Sequence, residues 1–161
     1  MKLRKLRIED ARLMLEWMHD DEVVKDLRAD FKEKTLDDCI NFIMTSHVDK
    51  KNMHLAICNE EDEYMGTVSL KNIDEGSAEF GIAIRKGAMG KGYSAYAMYE
   101  IIKIAFDELG LEKVYWCVSP TNLRACKFYE KNHYEKGEAP KEVRGYSEEE
   151  KEQYVWYQVT K

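Results

Sequence analysis

The run from Ser77 to Tyr99, SAEFGIAIRKGAMGKGYSAYAMY, changes its pattern twice and so limits what the chain can fold into. Phe80, Ile82 and Ile84 are bulky and apolar at every second position, while Gly81 and Ala83 leave the opposite face open, the period of a strand. A loop with Gly87, Gly90 and Gly92 follows and leads straight into a helix. Met98, Ile101, Ile102, Ala105, Phe106 and Leu109 recur on that helix at helical spacing, and Gly110 stands where a C-terminal cap belongs. A strand, a glycine loop and a helix start form an anion site, because small residues admit close backbone approach and the first helical amides have no intrahelical partner. This stretch predicts a ligand that carries phosphate.

The segments around it predict a mixed α/β sheet. Lys113 to Val118 is an apolar strand, so the helix before it is the crossover of a β-α-β unit whose two strands are parallel neighbours. Upstream, Met53 to Cys58 and Tyr64 to Lys71 read as strands of an antiparallel meander. The first third reads as a strand over Lys2 to Arg7, then three helices. One opens at Glu9-Asp10 and carries Leu13, Met14, Trp17 and Met18, one runs from Asp20 to Leu27, and one starts at a Thr35/Asp38 capping box and runs to about His47. Ser119 to Asn122 starts another helix, ending near Lys131. A short strand from Tyr134, a loop over 137–145, a solvated turn over Ser147 to Glu152 and a strand over Tyr154 to Thr160 complete the chain. An exposed last strand offers an edge for a homodimer.

With 161 residues the chain suits one domain, 1–161. Its 25 Lys and Arg against 31 Asp and Glu give a net charge of -6, which argues against a nucleic-acid partner. No stretch reaches the ~18 apolar residues that span a bilayer, and the expectation is a cytoplasmic protein without a membrane partner. Cys39, Cys58, Cys117 and Cys126 are scattered, with no C-x-x-C and no His at ligand spacing, so neither a metal site nor a disulfide framework is signalled.

Three phosphate loops compete for the glycines. A Walker loop fails, since Gly90-Lys91 is followed by Gly92 and has no glycine five residues before it. The dinucleotide fingerprint is matched formally by Gly90-x-Gly92-x-x-Ala95, but the strand Val114 to Val118 lacks the acidic residue that binds a ribose. The third loop is that of the GNAT superfamily of N-acetyltransferases, whose run Gln/Arg-x-x-Gly-x-Gly/Ala falls on Met89-Gly90-Lys91-Gly92-Tyr93-Ser94, with Met89 and Ser94 as departures. A second segment, Asn122 to Lys131 (NLRACKFYEK), resembles the family's Asn-x-x-Ala-x-x-x-Tyr-Glu-Lys helix, and Asn132 is left to take the left-handed turn after it. Ala78-Glu79-Phe80-Gly81 resembles the branch that acetylates ribosomal-protein N-termini, polyamines or nucleotide-linked aminosugars. The resemblance covers nearly the whole chain.

It implies a GNAT fold with a central sheet of about seven strands, a splayed parallel pair and about four helices. It also implies acetyl-CoA as co-substrate and a small-molecule or N-terminal amine as acceptor, with direct transfer between them. The cofactor contacts implied are Ile82, Ala83 and Ile84 on the strand, Met89, Gly90, Lys91, Gly92, Tyr93 and Ser94 on the loop, and Asn122. Tyr129 becomes the general acid for the departing thiolate, seven residues and ~10.5 Å along a helix from Asn122. Glu79, on the face of Gly81 and Ala83, is the candidate base, because an alkylamine with a pKa of ~10.4 arrives protonated. The acceptor pocket draws on Trp17, His19, Asp20, Asp21, Arg28 and Phe31 from one side and Arg144, Tyr146, Tyr154 and Trp156 from the other. A non-catalytic acyl-CoA-binding module shares the loop but needs neither Tyr129 nor a base.

Overall fold

The computed structural model describes all residues from Met1 to Lys161. Its strands are β1 (Lys2–Lys5), β2 (Met53–Cys58), β3 (Tyr64–Lys71), β4 (Ser77–Ile84), β5 (Lys113–Val118), β6 (Glu135–Gly137) and β7 (Val155–Thr160), and they form one sheet in the order β1-β2-β3-β4-β5-β7-β6. The helices are α1 (Ala11–Met18), α2 (Asp21–Val24), α3 (Leu36–Ser46), α4 (Tyr93–Lys103), α5 (Leu123–Lys131) and α6 (Glu148–Gln153). Every strand pair is antiparallel except β4 with β5, as the β-α-β reading requires. The mixed α/β sheet of seven strands with one parallel pair is thus the expected architecture.

Two apolar clusters hold the sheet between its helices. Ala78, Phe80 and Ile84 of β4 meet Ala97, Met98 and Ile101 of α4 and Tyr129 of α5 on one face. On the other, Met14, Trp17 and Met18 of α1 and Cys39 and Ile43 of α3 pack on Ala56 and Cys58 of β2 and Tyr64 of β3. The i, i+3, i+4 spacing of Met14, Trp17 and Met18 drives this docking. Asp10, 4 % exposed, ties β1 to α1: Arg4 donates to both of its carboxylate oxygens at 2.8 and 2.9 Å, and the Arg7 amide donates at 2.8 Å.

Several local expectations change. The Ser147 to Glu152 run is a capped helix, not a turn: the Glu150 amide donates to Ser147 Oγ at 3.0 Å and the Ser147 amide to Glu150 Oε1 at 3.1 Å. That is the S-x-x-E box, and three acidic residues suit the helix's positive end. The second helix shrinks to Asp21–Val24, and with α6 the helices number six, four of them of eight residues or more. The last strand is not an edge, since β7 lies between β5 and β6 and the three-residue β6 is the border, so the dimer argument from an exposed last strand lapses. The left-handed residue after α5 is His133 (φ 59°), not Asn132 (φ -91°).

Candidate active site

The parallel pair is short. β4 and β5 are in register only at Ser77 with Lys113, Ala78 with Val114 and Glu79 with Tyr115. From Phe80 onward β4 follows β3, while Trp116 to Val118 follow β7, so the sheet opens into a wedge with unpaired ladder groups on its inner edges. Two cavities of about 790 and 960 Å³ open on opposite sides of this wedge. Ile82 and Ala83 of β4, and Asn122, Ala125 and Tyr129 beside β5, line both.

The larger cavity runs along the glycine loop. Gly90 (φ 76°) and Gly92 (φ 89°) adopt the left-handed conformation that glycine tolerates, and Gly92 is the N-cap of α4. The first carbonyl used within α4 is that of Gly92, bonded by the Tyr96 amide at 3.1 Å, so the amides of the preceding turn have no intrahelical partner. Ile82, Ala83, Ile84, Met89, Gly90, Gly92, Tyr93, Ser94 and Asn122 all line this cavity, whereas Lys91 does not. Arg124 of α5 reaches across it: one guanidinium nitrogen donates to Met89 Sδ at 3.0 Å, and the other lies 3.3 Å from where a Gly90 side chain would begin. A thioether is a weak acceptor for a cation, so the guanidinium is left available to an anion. The sequence reading missed Arg124, since only packing brings the first turn of α5 over the loop. A pyrophosphate-bearing molecule suits this set of glycines, amides and one cation.

Tyr129 stands where the cavities join. Its ring is clamped by Tyr157 (centroids 4.9 Å apart) and Trp116 (5.4 Å). Its hydroxyl makes no hydrogen bond within the protein, yet is absent from the enclosed unsatisfied atoms, which are Trp116 Nε1, Glu142 Oε2 and Tyr157 Oη, so it opens to the cavity. Burial pushes its phenol up, which keeps the proton in place at neutral pH. Asn122 does not share a helical face with it, because Asn122 is the N-cap of α5 and its Oδ1 accepts from the Ala125 amide at 3.2 Å.

Glu79 is 4 % exposed and faces the smaller cavity. The Tyr146 hydroxyl donates to its Oε2 at 2.8 Å, Lys71 Nζ lies 3.6 Å from the same oxygen, and Oε1 accepts nothing from the protein. Arg28 stacks on the Tyr146 ring at 4.1 Å and grips Glu150 through two bonds of 2.7 and 3.1 Å, while also donating to the Gly145 carbonyl at 2.6 Å. That ion pair and the helix N-terminus hold the Glu150 carboxyl down at about 2. Burial lifts the Cys117 thiol, which donates to Tyr146 Oη at 3.5 Å, to about 11, so it is no nucleophile at neutral pH.

Of the acceptor residues expected, Trp17, Arg28, Phe31, Tyr146 and Tyr154 line this cavity, and His19, Asp20, Asp21, Arg144 and Trp156 do not. Asp20 caps α2, Asp21 pairs with Lys32 at 3.9 Å, and Trp156 lies beneath Tyr146 with its ring nitrogen donating to the Lys151 carbonyl at 2.8 Å. The row Thr67, Ser69 and Lys71 of β3, and His54 bonded to Ser69 at 2.6 Å, were not anticipated. Strand alternation would have put the row on one face, but not on this one.

A splayed parallel pair, a glycine loop capping the following helix, and cavities meeting at a tyrosine define an acyltransferase scaffold, and the chain belongs to the GNAT acetyltransferase family. It matches the family described as acetyltransferase (GNAT) domain over residues 1–135. An uncharacterised N-acetyltransferase, p20, of Bacillus licheniformis is 28 % identical over 143 residues, covering 84 % of this chain and 79 % of p20. The acetyltransferase PseH of Campylobacter jejuni is 26 % identical over 132 residues, 80 % of this chain and 79 % of PseH. PseH with acetyl coenzyme A superposes with a TM-score of 0.70 at 22 % identity, covering 99 % of this chain and 98 % of PseH. Spermidine N-acetyltransferase of Vibrio cholerae with CoA and spermine gives 0.81 at 21 % identity, covering 99 % and 94 %. No helix is long and apolar enough to cross a membrane.

Proposed function

We propose that this chain is a single-domain cytoplasmic N-acetyltransferase that moves the acetyl group of acetyl-CoA directly to a primary amine, of a small molecule or a protein N-terminus. The observation that carries the reading is the Tyr129 hydroxyl, unpartnered in the protein and standing where the glycine-loop cavity meets the Glu79 cavity. A non-catalytic acyl-CoA-binding module needs no such junction. The four cysteines are free, which fits a reducing compartment.

In this reading the loop amides and Arg124 hold the pyrophosphate, and the unpaired edge of β4 around Ile82 and Ile84 donates to the pantetheine arm and thioester oxygen. The amine nitrogen attacks the thioester carbon, a C–N bond forms and the C–S bond breaks. Before attack Glu79 receives the ammonium proton, directly or through a water; Tyr129 then gives its proton to the departing sulfur, and the second proton, shed by the new amide nitrogen, restores the Tyr129 phenol. The test is thiol release from acetyl-CoA with a panel of amines. Tyr129→Phe should lower the turnover number at least about tenfold, and an unchanged turnover number removes Tyr129 from the mechanism. Glu79→Gln with an unchanged pH-rate profile removes Glu79. Failure of the wild-type protein to bind coenzyme A refutes the function itself.

A further inference from the structure

The acceptor side contains a resident cation at the position where chemistry requires an amine to lose its proton. Lys71 is paired with Glu79 across β3 and β4, so the register itself, not a side-chain rotamer, puts the two on one face. Gly81, one step along that face, has its side-chain space taken by the lysine: a Cβ there would meet Lys71 Cε at 3.2 Å and Nζ at 3.4 Å. The ammonium thus lies over the floor that an acceptor must cross and 3.6 Å from the carboxylate that faces it. Glu150, the other carboxylate beside Tyr146, is charge-paired as well. Glu150 is held by Arg28, Asp38 accepts from the Thr35 amide and hydroxyl at 2.9 and 3.1 Å, and Asp26 accepts from the Thr121 hydroxyl at 2.8 Å. Asp38 and Asp26 keep their charge, since their donors are neutral, but both carboxylates around Tyr146, Glu79 and Glu150, already face a cation.

Resting on the acetyltransferase reading, we infer that Lys71 is a specificity-determining residue, selecting a single weakly basic amine as acceptor and rejecting polycations. A second positive charge beside Lys71 is repelled by it, which offsets the attraction of Glu79, and this repulsion is stronger in a partly enclosed site than in water. An incoming ammonium therefore sheds its proton more readily there, and an amine that is already partly neutral gains most. An α-amino group, with a pKa of ~7.7–8.0, meets this condition, and an alkylamine at ~10.4 does not. A polyamine meets it least, because its remaining ammonium groups stay charged where both carboxylates around Tyr146 are already paired with a cation. The acceptor inferred here thus differs from the spermidine of the Vibrio cholerae enzyme's name.

The experiment compares kcat/KM for an α-amino amide, a simple alkylamine and spermidine, using the wild-type protein, Lys71→Met and Lys71→Glu. Lys71 is half exposed, its side chain 41 % accessible, so both variants should fold, and acetyl-CoA affinity together with the melting temperature checks this. The wild-type enzyme should favour the α-amino amide over spermidine by at least about tenfold. The ratio should move toward spermidine by about tenfold in Lys71→Met and further in Lys71→Glu. Intrinsic basicity cancels when this ratio is compared between proteins, which isolates the lysine. A wild-type preference for spermidine, or a ratio that Lys71→Met leaves within twofold, overturns the inference while leaving acetyl transfer intact. Transfer to no amine at all overturns the acetyltransferase reading and this inference with it.

Discussion

Tyr146 links the far end of the chain to the candidate base, and Tyr146→Phe isolates one atom of that link. The ring stays in place in the variant, held by Arg28 at 4.1 Å and Trp156 at 5.2 Å between centroids, so packing changes little. What is lost is the 2.8 Å bond to Glu79 Oε2 and the weak 3.5 Å acceptance from Cys117. A hydrogen bond to a charged group is worth about 1.5–3 kcal/mol. If Tyr146 aims the carboxylate so that Oε1 faces the amine, that energy appears in the transition state and the turnover number falls about 10- to 100-fold. Steady-state kinetics with varied acetyl-CoA and amine, alongside coenzyme A titration, separates the cases. A positioning role lowers kcat and leaves coenzyme A affinity unchanged. A turnover number within twofold of wild type refutes the role, and so does a parallel loss of coenzyme A affinity, which would mean that the wedge itself has moved.

Three further outcomes are expected. Arg124→Ala should raise KM for acetyl-CoA by about tenfold, the worth of a charge-assisted phosphate contact, with kcat nearly unchanged and with the difference shrinking at high salt; initial-rate kinetics at two ionic strengths test it. Gly66→Ala should cost about 2 kcal/mol or more, because its Cβ would stand 2.4 Å from the Ala83 carbonyl oxygen on the neighbouring strand; the melting temperature should drop by about 4–8 °C. Glu150, depressed to about 2 by Arg28, contributes stability that is fully present above its unfolded pKa of ~4.3 and lost as pH falls from there through its folded value. Urea midpoints measured from pH 6 to pH 3 should therefore fall less steeply in Glu150→Gln than in the wild-type protein.

Local chemistry carried most of the architecture. The alternation Phe80, Ile82, Ile84, the glycines after it and the spacing of Met98, Ile101 and Ala105 gave a strand, a loop and a helix whose order already required a parallel pair. Short helices were read less well for a physical reason: α6 buries no residue, so no apolar stripe marks it. Its only sign is a capping box within a run of acidic residues, and such a run is equally consistent with a solvated turn.

The site divides along the same line. The glycine loop and Tyr129 lie on elements whose identity is local, so the sequence located them, and the wedge then assembled them. The acceptor end is made by register and by distant loops. Whether Lys71 faces Glu79 depends on how the turn through residues 72–76 closes, and a shift of one residue would send Lys71 to the opposite face of the sheet. Arg28 and Glu150 are 122 residues apart, and nothing local to either predicts that they meet over Tyr146. In the proposed reading acceptor choice therefore rests on pairings invisible to a linear reading, while the acetyl-CoA loop is contiguous and only Arg124 is added to it by packing. The proposal therefore expects substitutions at Lys71, Tyr146 and Arg28 to retune the acceptor without disturbing the loop, and this separation is what the Lys71 ratio and the Tyr146→Phe kinetics test from opposite sides of Glu79.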